Sequence, residues 1–205
     1  MAERLPGLRV PLEKPAPASV CEIFSPAVQA LWLEIGFGGG EHLVAQARAN
    51  PPVGFIGCEP FVNGVAKVLG EIERHDLTNI RLHDDDARQV INWLSNRALD
   101  RCFILFPDPW PKKRHAKRRL VAPDFVSDLA RVMKPGAEFR FATDIDDYVT
   151  TGLHAVLASG YFDWPVETAG DWRIRPADWP ATRYEAKAER EGRQRYYFSF
   201  RRKTV

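Results

Sequence analysis

From position 31 onward the chain alternates short apolar runs with longer stretches whose apolar residues recur every three to four positions. The runs at 31–35, 53–58, 80–83, 102–106 and 138–142 have the length of buried strands. The stretches at 41–49, 62–75, 88–96, 124–133 and 147–158 carry the helical period. Strand and helix alternating at this spacing predict βαβ units, hence an α/β fold with a mostly parallel sheet covered on both faces. Pro135-Gly136 reads as a stop for the helix before it. Near the end, Tyr196, Phe198 and Phe200 alternate with Tyr197 and Ser199, which predicts a last strand over 195–201. The Trp- and Pro-rich segment before that strand reads as a long loop. Residues 1–20, with Pro6, Pro11, Pro15 and Pro17 and few large apolar residues, are expected to form a mobile or extended arm. Residues 21–205 then make one domain.

Composition narrows the class. With 205 residues, 45% of them hydrophobic and 27% charged, the chain is ordinary for one soluble globular domain. No apolar run approaches the roughly 20 residues of a membrane span, and no signal-peptide core stands at the N-terminus, so a cytoplasmic protein is expected. Cys21, Cys58 and Cys102 lack any Cys-x-x-Cys spacing and read as reduced thiols, not as metal ligands. The net charge of +2 hides an asymmetry. Lys112, Lys113, Arg114, Lys117, Arg118 and Arg119 put six positive charges into eight residues, and residues 173–203 hold ten Lys/Arg against four Asp/Glu. The remainder is therefore acidic. Concentrated positive charge suits a polyanion, although two solvated charge runs would have the same composition.

The first strand runs into Glu34-Ile35-Gly36-Phe37-Gly38-Gly39-Gly40-Glu41, with a helix after it. Glycines allow the sharp strand-to-helix turn and the close approach of a ligand, here centred on Gly36 and Gly38. A dinucleotide fingerprint would need Gly or Ala where Glu41 stands, and a glutamate there would repel a pyrophosphate. A nucleoside cofactor without phosphate escapes that objection. Glu59 closes the second strand, where a carboxylate accepts from ribose hydroxyls. Asp86 follows the third strand, placed for an adenine amino group or, alternatively, for a helix N-cap. All three features fall at the carboxyl edge of the sheet, where open α/β sheets bind ligands.

The fourth strand ends in Phe106-Pro107-Asp108-Pro109-Trp110, followed at once by the basic run. Prolines on both sides of an aspartate fix an extended backbone that aims the carboxylate out of the sheet. Here the sequence resembles the bacterial tRNA (guanine-N7)-methyltransferases. The matching pieces are Leu33 to Gly38, Phe106 to Trp110 with its tail from Lys112 to Arg119, Ala142-Thr143-Asp144, and Thr182-Arg183-Tyr184-Glu185. The resemblance implies a class I, Rossmann-like methyltransferase fold of seven strands, the last antiparallel. It implies S-adenosylmethionine as co-substrate, without a metal, and tRNA as partner, with a variable-loop guanine as target and a monomer or a homodimer as the acting unit. Glu34, Gly36, Gly38, Glu59, Asp86 and Asp108 would line the cofactor site, with Asp108 as the catalytic residue. Lys112, Asp144, Thr182, Arg183, Tyr184 and Glu185 would contact the RNA. The chain departs from the family in its short Pro-rich N-terminal segment and in Gly39, where a bulkier residue is common.

The chemistry suits these residue types. Guanine N7 has an exposed lone pair, so the task is alignment with a methyl donor and stabilisation of the positive charge that results. Thr182 and Glu185 admit two roles. Glu185 is an acceptor-only partner for the Watson–Crick edge of guanine, or the pair is a helix capping box. An NAD-dependent oxidoreductase and a catalytically dead RNA-binding protein are the competing readings.

Overall fold

The computed structural model describes residues 5–110 and 113–204. Its strands are β1 Ala30–Ile35, β2 Val53–Cys58, β3 Ile80–His83, β4 Leu99–Leu105, β5 Met133–Thr143, β6 Phe162–Asp163 and β7 Tyr196–Arg202. Its helices are α1 Leu5–Leu8, α2 Glu41–Ala49, α3 Val62–Arg74, α4 Ala87–Trp93, α5 Pro123–Val132, α6 Asp146–Ala158, α7 Gly170–Arg173 and α8 Arg183–Arg190. One sheet has the order β3-β2-β1-β4-β5-β7-β6. The five strands from β3 to β5 are parallel, and β7 runs antiparallel between β5 and β6. This is the expected seven-stranded α/β sheet.

Strand alternation sorts the core into two layers. Leu31, Leu33 and Ile35 of β1 pack with Val90 and Ile91 of α4 and with Phe125, Val126 and Leu129 of α5. Phe55 faces the other way, into Leu43 of α2 and Val65, Val68, Leu69 and Ile72 of α3, with Trp32 against the same layer. Spacings of three and four in α3 put that whole stripe on one side.

Two expectations are corrected and one, the helix stop, is borne out with an addition. Residues 5–20 are not a free arm but are laid on the sheet edge. Leu5 and Val10 are buried, the Val10 N–H donates to the Leu82 carbonyl at 3.0 Å, and Trp93 Nε1 donates to the Lys14 carbonyl at 2.7 Å. The few apolar residues among the prolines thus cover the edge strand β3, whose backbone would otherwise be open to pairing. The helix before Pro135-Gly136 ends at Val132, as that pair predicts, and the pair itself lies inside β5. A residue without an N–H is tolerated there beside the register shift at Leu99/Arg101. The long loop before β7 holds β6, α7 and α8. In α8 only Glu185 and Ala188 are buried, so no apolar stripe announces the helix in the sequence. Among the described residues no helix is long and apolar enough to cross a membrane.

Candidate active site

β1 is flanked by β2 on one side and β4 on the other, so the chain leaves it in opposite directions at its carboxyl end. A crevice forms at such a switch point. A cavity of about 350 Å³ opens there, with Ile35, Gly36, Glu59, Asp86, Phe106, Asp108 and Tyr184 among its walls. Four carboxylates reach the lining, from Glu59, Asp85, Asp86 and Asp108, against two guanidinium groups, from Arg88 and Arg118.

The glycine turn is shaped by what packs on it. Gly40 caps α2 at φ 80°, and a Cβ there would stand 2.1 Å from Val68 Cγ2 of α3. Gly38 sits at φ 55° beneath the Tyr184 ring, 2.8 Å from where its Cβ would be. Only glycine allows both the left-handed backbone and these contacts. Gly36 is on the cavity wall, whereas Gly38 is covered by Tyr184. Space at Gly39 is taken by the Arg183 guanidinium, which pairs with Glu41 at 3.5 Å. The departure from the family at that position therefore makes room for an ion pair between α2 and α8.

Glu59 is buried and ties two turns together. Its Oε2 accepts from the Gly38 N–H at 2.7 Å and its Oε1 from the Phe61 N–H at 3.0 Å. Asp86 lines the cavity, and its Oδ1 accepts from the Arg88 N–H at 2.9 Å as the N-cap of α4, the second of the roles considered for it. Glu34 is different. It lies behind the wall, its carboxylate buried and 2.7 Å from His42 Nδ1. Burial, followed by the charges of Asp86 and Glu59, pushes the Cys58 thiol up, which keeps it a protonated core residue.

Asp108 is exposed on the loop after β4, at the cavity wall. Phe106 at φ 51° and Trp110 at φ 42° bracket it. Left-handed backbone at two aromatic residues within five positions is costly and persists only where the surroundings enforce it. The basic run after it forms a 3-10 turn, Lys113–Arg118. Arg114, Lys117 and Arg118 are exposed, and the Arg118 guanidinium lies 4.8 Å from the Trp110 ring centroid. Arg119, counted in the sequence with the other cations, is buried and faces inward.

Of the residues assigned to RNA, Lys112 lies outside the described residues. Asp144, at the end of β5, pairs with Arg193 at 2.5 Å. Thr182 caps α8, its Oγ1 accepting from the Glu185 N–H at 3.2 Å. That is half of a capping box; the other half is not used, because the buried Glu185 carboxylate accepts from the Tyr197 hydroxyl at 2.5 Å and lies 3.1 Å from Arg175 Nε. Burial and this bond push the Tyr197 phenol up. Tyr184 is thus the tetrad member brought to the cavity, and Glu185 is the one that holds α8 down. Replacing Glu185 with Gln is expected to lower the melting temperature. Losing about 1 kcal/mol of a charged hydrogen bond corresponds to about 2–4 °C in a chain of this size. An unchanged melting curve with relaxed base selectivity would return Glu185 to the recognition role.

Phe61 had no place in the sequence reading, and Arg118 entered it only as one cation of the basic run. Phe61, 69% exposed beside Glu59, and Arg118 both line the cavity. Nothing in periodicity or charge separates Arg118 from its neighbours; only the local turn does.

This sheet and its crevice are those of an open α/β protein that binds a ligand at the switch point. A variant of the 16S rRNA (adenine(1408)-N(1))-methyltransferase from Catenulisporales acidiphilia, solved with its cosubstrate SAM, superposes with a TM-score of 0.58 at 17% identity, covering 87% of this chain and 88% of that one. Residues 28–198 match the family model described as "Putative methyltransferase". Tighter still is the similarity to tRNA (guanine-N(7)-)-methyltransferases. That from Rhizobium meliloti is 51% identical, covering 97% of this chain and 85% of the relative. That from Hyphomonas neptunium is 52% identical, covering 91% and 84%. The chain belongs to the tRNA (guanine-N(7)-)-methyltransferase family.

Proposed function

We infer that the protein transfers a methyl group from S-adenosylmethionine to N7 of a guanine in tRNA. The observation that carries this is the placement of Asp108. It stands on a backbone held left-handed on either side, at the rim of a carboxylate-lined cavity, directly before an exposed cationic turn. The wall fits the co-substrate. Acidic groups outnumber basic ones, which suits a sulfonium and an amine better than a pyrophosphate, and apolar Ile35, Ala87 and Phe106 offer surface for a purine ring. Glu59 and Asp86 are the residues to hold the nucleoside.

When bound, S-adenosylmethionine supplies a methyl carbon made electrophilic by its sulfonium. Guanine N7 needs no deprotonation, so the side chains position and neutralise. Asp108 stabilises the positive charge that the base acquires, and Tyr184 forms part of the cavity wall. The target base must be unpaired or flipped out to enter the cavity, which favours a loop guanine, a variable-loop position being the proposed one. Arg114 and Lys117 hold the RNA backbone, and a tRNA substrate places the enzyme in the cytoplasm.

Incubating the protein with labelled S-adenosylmethionine and bulk tRNA, then identifying the modified nucleoside, tests the reading. Label in 7-methylguanosine is expected; label in another nucleoside, or none, would sink it. Changing Arg114 and Lys117 together to Gln is expected to flatten the salt dependence of tRNA binding. Each lost phosphate contact reduces the log–log slope by roughly 0.7–0.9. S-adenosylmethionine affinity should stay the same. An unchanged slope would show that the turn is only a solvated face.

A further inference from the structure

One cation of the basic run does not face the RNA at all. Arg119 is 3% exposed. Its Nε donates to the Pro109 carbonyl at 3.1 Å. Its Nη1 donates to the Asp147 carbonyl at 3.2 Å and to Thr151 Oγ1 at 2.9 Å, and its Nη2 lies 2.6 Å from Asp147 Oδ2. The guanidinium also lies 4.9 Å from the ring centroid of the buried Tyr148, whose hydroxyl accepts from the Val121 N–H at 3.1 Å. Every nitrogen of the fork has a partner, all of them on the loop after β4 or on α6. Four of its five N–H donors are engaged within the protein, and its burial keeps the guanidinium away from a phosphate.

The position of these contacts matters. Pro109 follows Asp108 directly. On the upstream side, the Phe106 N–H donates to the Ala142 carbonyl at 2.8 Å, which ties the loop to β5. On the downstream side Arg119 ties it to α6. Two anchors three residues apart, one at each end of the Asp108 segment, are what keep Phe106 and Trp110 in left-handed backbone. A planar guanidinium bridges a carbonyl and a helix in one rigid unit, whereas an ammonium on a flexible stem makes only part of the set. Asp147 lies three residues beyond Asp144, so the same latch fixes the Asp108 loop relative to the turn that carries Asp144.

We propose that Arg119 is a positioning residue for the methyl transfer: it holds the Asp108 carboxylate at the cavity rim by clamping the Pro109 carbonyl to Asp147 and Thr151, and it contributes nothing to RNA binding. The proposal rests on the methyl-transfer reading above. Sequence alone assigns the opposite role, since Arg119 closes a dense run of phosphate-seeking cations.

Arg119→Lys and Thr151→Val, made in the full chain, separate the possibilities. The second variant leaves every charge in place and removes one partner, so it carries the test if the first fails to fold. For Arg119→Lys, kcat at saturating tRNA is expected to fall roughly 10- to 100-fold, the range for a misplaced reacting group. KM for tRNA and the salt slope of binding should stay at wild-type values. Thr151→Val should lower kcat in the same direction and by less. Hydrogen exchange at Phe106, Asp108 and Trp110 should quicken in both. Unchanged kcat in both variants would overturn the proposal. So would a salt slope reduced by one contact with kcat preserved, which would make Arg119 an RNA ligand. A wild-type protein that methylates no tRNA would instead defeat the underlying reading. Exchange at the Asp108 segment then still decides whether Arg119 pins it, and slow exchange in both variants would refute the clamp.

Discussion

Asp108→Asn is expected to lower kcat by roughly 10²–10³-fold, the loss typical when one preorganised group facing developing charge is removed. Asparagine keeps the shape of aspartate and its two flanking prolines, so the loop should stand as before. What it removes is the negative charge. Attack by N7 converts a neutral base into a cation, and a full negative charge nearby stabilises that change more than an amide dipole does. Asp108 is exposed, so its replacement leaves no buried group without solvent. The melting temperature should therefore hold, and KM for tRNA should move little, because the cationic turn is intact. Single-turnover rates with saturating co-substrate and tRNA are the measurement. A rate within threefold of the wild type would remove Asp108 from the chemistry and leave it a rim residue.

Much of this site could be read from the sequence for a physical reason. Strand ends and glycine turns are local events, so the switch point between β1 and β4 could be located once the strands were counted. Glu59, Asp86 and Asp108 each close or follow a strand, and each one lies on the cavity wall. Residues whose neighbours come from far along the chain were harder. Glu34 enters the site through the resemblance alone, and its buried carboxylate lies 2.7 Å from Nδ1 of His42, eight positions later, a partner that no local pattern announces. Glu185 reads either as an acceptor for a guanine edge or as half of a capping box. Its true partner is Tyr197, on a strand whose pairing with β5 no local pattern specifies. Arg119 and Arg118 are adjacent and identical in sequence terms, and one is buried while the other stands in solvent. α8 was legible only through the capping box at Thr182 and Glu185. It is held on the sheet by an ion pair, an aromatic ring and a buried carboxylate, none of which leaves an apolar period.

Glu59→Gln is expected to weaken co-substrate binding at least tenfold and to destabilise the fold together. The two oxygens of Glu59 each accept from a backbone N–H, one in the turn after β1 and one in the turn after β2. Glutamine offers a single acceptor. Whichever way the amide is placed, its NH₂ group faces one of those N–H donors, so a buried donor loses its partner and meets another donor. An unsatisfied buried group costs about 1–3 kcal/mol, which is about 2–4 °C of melting temperature per kcal/mol at this chain length. Binding suffers more. The bonds to the Gly38 N–H and the Phe61 N–H fix the turns after β1 and β2, which carry Gly36 and Phe61 of the cavity wall, so the wall shifts as well as the carboxylate that would face a ribose. At least a tenfold loss of affinity follows from losing about 1.4 kcal/mol at the site. The close packing of Gly64 on the Gly38 carbonyl, where a Cβ would stand 2.2 Å away, leaves little slack to absorb the shift. Calorimetric titration with S-adenosylmethionine, run beside thermal unfolding of the same sample, measures both effects. Wild-type affinity in a destabilised protein would show that Glu59 braces the two turns without touching the ligand. Lost affinity at an unchanged melting temperature would assign it to the ligand alone.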